Sequence, residues 1–171
     1  MHNIIRVDTG TDEGKLIARL IDTAEFQRLR RVRQLGLAYF AYQTAEHSRF
    51  THSLGAFHLA SRILEKLGSK YGISDKDRIG VRVAALLHDV GHGPFSHVIE
   101  TILGFHHEDF TVEAVLSDET EIGQTLKEFS PNIACRCRRN YQWRVSGRWL
   151  LPSLFRHSST LTGWITCFVI R

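Results

Sequence analysis

The chain has 171 residues, of which 43% are hydrophobic and 23% charged, and its formal net charge is +4. That length suits one domain or part of a larger one, and the composition is that of a globular protein, not a disordered or fibrous one. No charged, apolar and cleavage-site succession opens the chain, and Leu161 to Ile170 is too short an apolar run to cross a bilayer. A soluble, cytoplasmic protein without a membrane partner is expected.

Residues 1–15 combine a short β-like piece (Ile4, Ile5, Val7) with a polar Asp-Thr-Gly-Thr-Asp turn. Leu16 to Leu20 is a brief apolar stretch. Asp22 or Thr23 can cap a helix from Ala24 through Val32, with Phe26, Leu29 and Val32 on one face. Arg28, Arg30, Arg31 and Arg33 occupy its other face and read as a solvated or partner-facing surface. Gly36 fits a C-terminal cap. A loop with Tyr39, Phe40 and Tyr42 follows. The spacing then predicts a long helix from about Ser48 to Leu67, stopped by Gly68, on which His58 reads as a core histidine. The next helix starts near Ser74 and runs to Asp89. Pro94 can open a short helix over Phe95 to Leu103. Further helices are expected over His107 to Leu116 and Asp118 to Phe129. There is little strand signal and no internal repeat, so the class is mainly α.

The charge is unevenly spread. After Glu128 there is no Asp, Glu or Lys, but there are seven Arg; up to that point 15 basic residues face 18 acidic ones. All three Trp (Trp143, Trp149, Trp164) and all three Cys (Cys135, Cys137, Cys167) also fall in this tail. The cysteines lack the paired spacing of a zinc knuckle or a disulfide framework. The chain therefore divides into residues 1–130 and an aberrant, poorly ordered tail over 131–171.

The chemistry concentrates at Leu86-Leu87-His88-Asp89-Val90-Gly91-His92-Gly93-Pro94-Phe95-Ser96-His97. An adjacent His-Asp pair at the end of an apolar helix is costly to bury unless something charged is bound there. His88 and Asp89 leave one helix end and can address one ion; His52 can add a third ligand from another helix. Imidazole and carboxylate suit a divalent first-row metal. Arg49, one turn before His52, reads as an anion ligand or as a salt bridge.

These residues resemble the HD-domain superfamily of metal phosphohydrolases, in particular its deoxynucleoside triphosphate triphosphohydrolase branch. The matching stretches are Leu20-Ile-Asp-Thr-Ala-Glu-Phe-Gln-Arg-Leu-Arg30, Gln34-Leu35-Gly36, His47-Ser-Arg49-Phe-Thr-His52-Ser-Leu-Gly55, the His88 to His97 run and His107-Glu108. They follow in the family's order over roughly residues 16 to 130. The resemblance implies an HD-domain helical bundle, here incomplete on its C-terminal side. It implies His52, His88 and Asp89 as ligands of a divalent ion (Mn, Fe, Mg, Zn, Co or Ni), and Arg49 on the phosphate nearest the sugar. Gln34 and Leu35 would lie against sugar and base. His92, His97 and His107 would line the triphosphate, with His97 or His107 handling protons and Glu100 orienting such a histidine. The implied reaction is hydrolysis of a dNTP to deoxynucleoside and triphosphate, with metal and Arg49 neutralising charge at phosphorus. An acid near the departing sugar oxygen completes the arrangement. The resemblance also implies an oligomer for the parent enzyme.

Two departures stand out. Gln43-Thr44 replaces a Pro-Gly common in the loop before Arg49. The family's fourth metal ligand is an Asp far beyond the His-Asp pair, yet no Asp follows Asp118 here. A frame error is expected in the tail, one that would account for both this absence and the break in composition. Gly163-Trp-Ile-Thr-Cys-Phe-Val169 can be written GGA TGG ATT ACT TGT TTC GTG, which in the next frame but one reads Met-Asp-Tyr-Leu-Phe-Arg. Permitted codons over Phe155 to Thr162 extend this back to Ser-Ser-Gln-Leu-Asp-Ala-Asp-Arg, restoring the missing motif. The Asp after Met needs no choice of codon, because TGG followed by any isoleucine codon contains GAT. The chain is thus expected to be impaired. Two alternatives are an HD phosphohydrolase acting on other nucleotides and a non-catalytic protein. The latter would bind nucleotides, or nucleic acid through the Arg and Trp of the tail.

Overall fold

The computed structural model describes residues 5–43, 45–95, 100, 102, 104 and 106–134. Six α-helices are named here: α1 (Asp12–Asp22), α2 (Ala24–Gln27), α3 (Arg49–Tyr71), α4 (Asp75–Leu87), α5 (His107–Leu116) and α6 (Glu121–Phe129). Two 3-10 segments, Arg28–Arg31 and Gly36–Phe40, lie between α2 and α3. Among the described residues the pairing of extended backbone is limited to one isolated antiparallel bridge, Arg33 to Ser48. The expected mainly-α class is thus the observed one. No described helix is long and apolar enough to cross a membrane.

Several elements differ from expectation for local reasons. The polar turn near residue 11 starts α1: the Thr11 hydroxyl accepts the Gly14 N–H at 3.0 Å, and Asp12 and Glu13 sit in the positive first turn. Leu16, Ile17 and Leu20 then form its buried stripe. Ile5 and Val7 pack on the core without forming a strand. The helix expected to reach Val32 ends at Gln27 and tightens into the 3-10 segment, so Gly36 opens the next segment instead of closing the helix. The long helix does not stop at Gly68. It continues to Tyr71, and Gly72 (φ +62°) ends it in the left-handed conformation that glycine adopts without strain. Phe95 (φ +55°) is not helical, whereas Glu100 and Ile102 within the expected helix are; the other residues from 96 to 103 lie outside the described residues.

Phe26, Leu29, Phe50, Phe57, Leu86, Leu87, Ile122 and Leu126 are buried in one core, to which every named element except the 3-10 segment Gly36–Phe40 contributes. Ile133 and Ala134 belong to it as well, so the core includes residues beyond 130. The N-termini of α2 and α6 cap each other: the Ala24 N–H donates to Glu121 Oε2 (2.7 Å), and the Glu121 N–H donates to Glu25 Oε1 (3.0 Å). Both carboxylates thereby satisfy N–H groups that a helix start leaves unpaired. A smaller apolar patch of Ala56, Ala60 and Ala85 joins α3 to α4. Small side chains let two helices approach closely. His52 lies one turn before Ala56, and His88 three residues after Ala85, so the same contact brings the two histidines together.

Candidate metal centre

α4 delivers His88 and Asp89 at its C-terminal end, and both are buried. His88 Nδ1 lies 2.9 Å from the Ala85 carbonyl. That acceptor holds the ring proton on Nδ1 and leaves the Nε2 lone pair bare, the tautomer a metal ligand needs. Nε2 of His88 faces Nε2 of His52 at 3.2 Å, and Asp89 Oδ1 at 3.2 Å. Asp89 Oδ2 lies 3.9 Å from His52 Nε2. Donors about 2.1 Å from one ion are spaced from each other by about these distances, and two nitrogens with a carboxylate suit a first-row divalent ion. His52, His88 and Asp89 therefore form a donor group able to hold a metal. Among the described residues this group has three members.

Arg49 opens α3 and is almost fully buried. Its Nη1 donates to Asp89 Oδ2 at 2.8 Å, so it forms a buried ion pair, not a surface salt bridge. Its Nε is also buried and has no hydrogen-bond partner among the described residues. A buried cation with an unused donor is a ready anion site. The Arg49 N–H donates to the Val32 carbonyl (2.8 Å) and the Gln34 N–H to the His47 carbonyl (3.1 Å). This pairing places Gln34 and Leu35 beside the start of α3. Gln34 Oε1 is buried without a partner, and Leu35 is 50% exposed.

A second cluster lies next to the first. His92 and His107 are buried and stack with ring centroids 3.5 Å apart and planes 17° apart. Glu100 Oε1 lies 3.0 Å from His107 Nδ1 and 3.6 Å from His92 Nδ1, while His92 Nε2 lies 3.4 Å from Asp89 Oδ1. Glu108 Oε2 is 3.3 Å from His107 Nδ1. His92, Glu100 and His107 are close enough to share an ion, but the stacking argues against it. Imidazole lone pairs lie in the ring planes, and near-parallel stacked rings send them along parallel lines instead of to one point. The cluster is better described as a row of carboxylate, imidazole, carboxylate and imidazole, an arrangement for holding or passing a proton. His97 lies outside the described residues.

Burial shapes the charge states. Burial alone would raise the Asp89 pKa, but a hydrogen bond from His92 and the charges of His88, His92 and Arg49 hold it far below the ordinary carboxylate range. Burial pushes His92 down to about 4, and lowers His52 and His107 as well. Asp89 is thus ionised and these three imidazoles are neutral near pH 7, as metal ligation and proton acceptance both require.

Three supporting residues escape a reading of the sequence. Arg28, placed there on a solvated face, instead points its guanidinium at the Val90 and His92 carbonyls. No local pattern separates it from Arg30, Arg31 and Arg33, because its partners are 62 and 64 residues away along the chain. Thr111, fully buried in α5, accepts the Gly91 N–H at 3.0 Å. A Cβ at Gly91 would meet the His107 carbonyl at 2.1 Å and the Thr111 nitrogen at 2.5 Å, so glycine is what lets α5 approach the turn. His58, expected in the core, is half-buried.

The match to a family model described as the HD domain covers residues 49–136, which include His52, His88, Asp89, His92 and His107. The chain belongs to the HD-domain family. Among curated proteins, an uncharacterized protein of Bacillus subtilis, YwfO, is 48% identical over 70% of this chain and 28% of its own length. Human SAMHD1, named as a deoxynucleoside triphosphate triphosphohydrolase, is 48% identical over 50% of this chain and 14% of its own length. The chain thus spans little more than a quarter of the length of the Bacillus subtilis relative. Among solved structures, a phosphohydrolase from Bacteroides thetaiotaomicron superposes with a TM-score of 0.63 at 35% identity, covering 74% of this chain and 30% of that one. A hypothetical protein from Aquifex aeolicus gives 0.61 at 46% identity over 74% of this chain and 33% of that one. The HD domain of this chain therefore joins a family fold to a metal-competent donor group.

Proposed function

We propose that this HD domain is the metal-bearing part of a cytoplasmic phosphohydrolase that splits deoxynucleoside triphosphates into deoxynucleoside and triphosphate. The observation that carries the reading is the buried Arg49, with an unused Nε, set directly against the His52, His88 and Asp89 donors. The likeness to SAMHD1 over half of the chain supports the substrate class. His52, His88 and Asp89 would hold a divalent ion, which when bound supplies Lewis-acid charge neutralisation and a more nucleophilic water. Arg49 holds the phosphate nearest the sugar, while Gln34 and Leu35 bound the sugar and base. His92, His107 and Glu100 would line the triphosphate and manage protons, and the family resemblance assigns His97 to the same task. Water adds to the α-phosphorus as its proton passes to a neutral imidazole of this cluster, and that imidazole, now protonated, gives the proton to the departing oxygen as the bond from phosphorus to O5′ breaks.

The chain as it stands is impaired in this reading, because the distal carboxylate ligand is missing. Most of residues 131–171 is proposed to be encoded out of frame, with the frame changing beyond Ile133 and Ala134, which pack in the core, and beyond the end of the HD-domain match at residue 136. The intact enzyme is proposed to be a homo-oligomer. The test compares this chain with a frame-restored version, each incubated with the four dNTPs and Mn²⁺ and analysed for products by anion-exchange chromatography. Deoxynucleoside and triphosphate are expected from the restored protein, with this chain at least about 100-fold slower. Orthophosphate as the product would overturn the reaction assigned here. Robust turnover by this chain, or coding DNA over codons 128 to 171 that restores no Asp motif in another frame, would overturn the impairment.

A further inference from the structure

The turn carrying Asp89 and His92 is gripped from two elements. Regular helix ends at Leu87, and the turn continues through the Val90 N–H to Leu87 carbonyl bond and the His92 N–H to Asp89 carbonyl bond, 3.0 and 3.1 Å. The Val90 and His92 carbonyls point away from this ladder. Arg28 takes both: Nη1 donates to the His92 carbonyl at 2.7 Å and Nη2 to the Val90 carbonyl. A planar guanidinium offers two parallel donors in a fixed fork, which matches two carbonyls two residues apart; an ammonium offers no such fork. From α5, the Thr111 hydroxyl accepts the Gly91 N–H and donates to the His107 carbonyl at 3.1 Å, with the His88 carbonyl at 3.4 Å. Backbone groups on both sides of His92 are therefore tied down, one set to the 3-10 segment and the other to the helix that carries His107.

We propose that Arg28 is a positioning residue: by holding the Val90 and His92 carbonyls against the Thr111 anchor, it sets the stacked register of His92 on His107. Both donors go to backbone carbonyls of the turn, which distinguishes Arg28 from an arginine that merely adds surface charge. Arg28 reaches the proton-handling row only through the backbone, so its loss misplaces the two imidazoles while leaving His52, His88 and Asp89 in place. Asp89 keeps its own partner in Arg49. The proposal rests on the reading of His92 and His107 as working parts of the centre.

The test uses the full chain, labelled with ¹⁵N, and the variants R28Q, R28K and R31Q. Imidazole ¹H–¹⁵N spectra report ring environment and tautomer, and Mn²⁺ dialysis reports the donor group. In R28Q the His92 and His107 ring signals are expected to move, while Mn²⁺ affinity falls by less than about tenfold, since the three donors and the Arg49 partner of Asp89 remain and only the His92 contact to Asp89 is disturbed. R28K, with a point donor able to serve one carbonyl, is expected to show a smaller shift of the same two rings. R31Q, which removes a neighbouring exposed charge, is expected to move neither. Unmoved His92 and His107 signals in R28Q overturn the proposal, as does an equal shift in R31Q. If R28Q does not fold, R28K decides on the same two rings, and unmoved rings there overturn it. Turnover is a separate matter: if even the frame-restored protein hydrolyses no dNTP while R28Q still moves the two rings, the substrate reading fails and the positioning role stands.

Discussion

The two histidine clusters use the same residue types a few ångströms apart, yet their geometries suit different work. In the first, His52 and His88 meet with their Nε2 atoms 3.2 Å apart at an edge-to-face angle of 65°, so their lone pairs converge beside the Asp89 carboxylate. In the second, His92 and His107 lie face to face with planes 17° apart, and their nitrogens turn to Glu100 and Asp89. Ring orientation, more than proximity or composition, separates an ion's donor set from a hydrogen-bonded row. The cause is one of origin: His52 and His88 come from two helices joined by small alanines, whereas His92 and His107 come from a turn and a helix that Gly91 and Thr111 press together.

The largest test of this contrast is R49A. It leaves the buried Asp89 carboxylate without its cation, and a loss of about 3–5 kcal/mol is expected by chemical denaturation of metal-free protein. Saturating Mn²⁺ should recover part of that loss, because an ion at the first cluster supplies the missing charge; no recovery would mean that the donors do not hold one. G91A comes next, with a loss of about 3 kcal/mol or more, since the new methyl meets the His107 carbonyl and the Thr111 nitrogen in α5. G93A, where a Cβ would meet nothing within 4 Å, should change stability by less than about 1 kcal/mol. Equal melting curves for the two variants would show that α5 does not press on the turn.

Metal affinity separates the clusters more gently. D89N should weaken Mn²⁺ binding by about 100-fold in dialysis, whereas H107N should change it by less than about threefold. A loss in H107N as large as that in D89N would make the second cluster part of the donor set. The smallest effect is the pH dependence of the metal-free protein. His92 falls from an ordinary 6.5 to about 4 in the folded chain, and His52 and His107 are also lowered. The unfolded chain therefore binds more protons in this range, so the stability these groups contribute is present above pH 6.5 and is lost as pH falls towards about 4. Melting temperatures measured in chelator should drop across that window, and H92Q should flatten the drop. A flat profile for the parent chain would place His92 in contact with water.

Much of the centre is legible in the order of residues. His88-Asp89 after an apolar helix, His52 one turn after Arg49, and Ser74 as a cap all depend on local spacing, and the structure puts these residues where spacing expects them. The Thr11 cap of α1 was equally readable, since Thr followed by two acids and a buried stripe is a helix start; the polar turn before it disguised the signal. Arg28 and Thr111 were not readable, because their partners are backbone groups of a turn remote in sequence. Gly36 misled because a glycine after an apolar stripe marks the end of a helix only if the helix lasts that long, and here the backbone tightened into a 3-10 turn first.

The sequence by itself determined the helical class, the family and the identities of the donors, because these follow from periodicity and from the chemistry each side chain carries. Tertiary structure alone decided which histidines bring their nitrogens together in a group able to hold a metal and which stack, that Arg49 is buried against Asp89, and that Arg28 holds the turn between them. Those outcomes depend on ring orientation and on how closely two elements can approach. Both are set by packing between segments that have no fixed spacing along the chain.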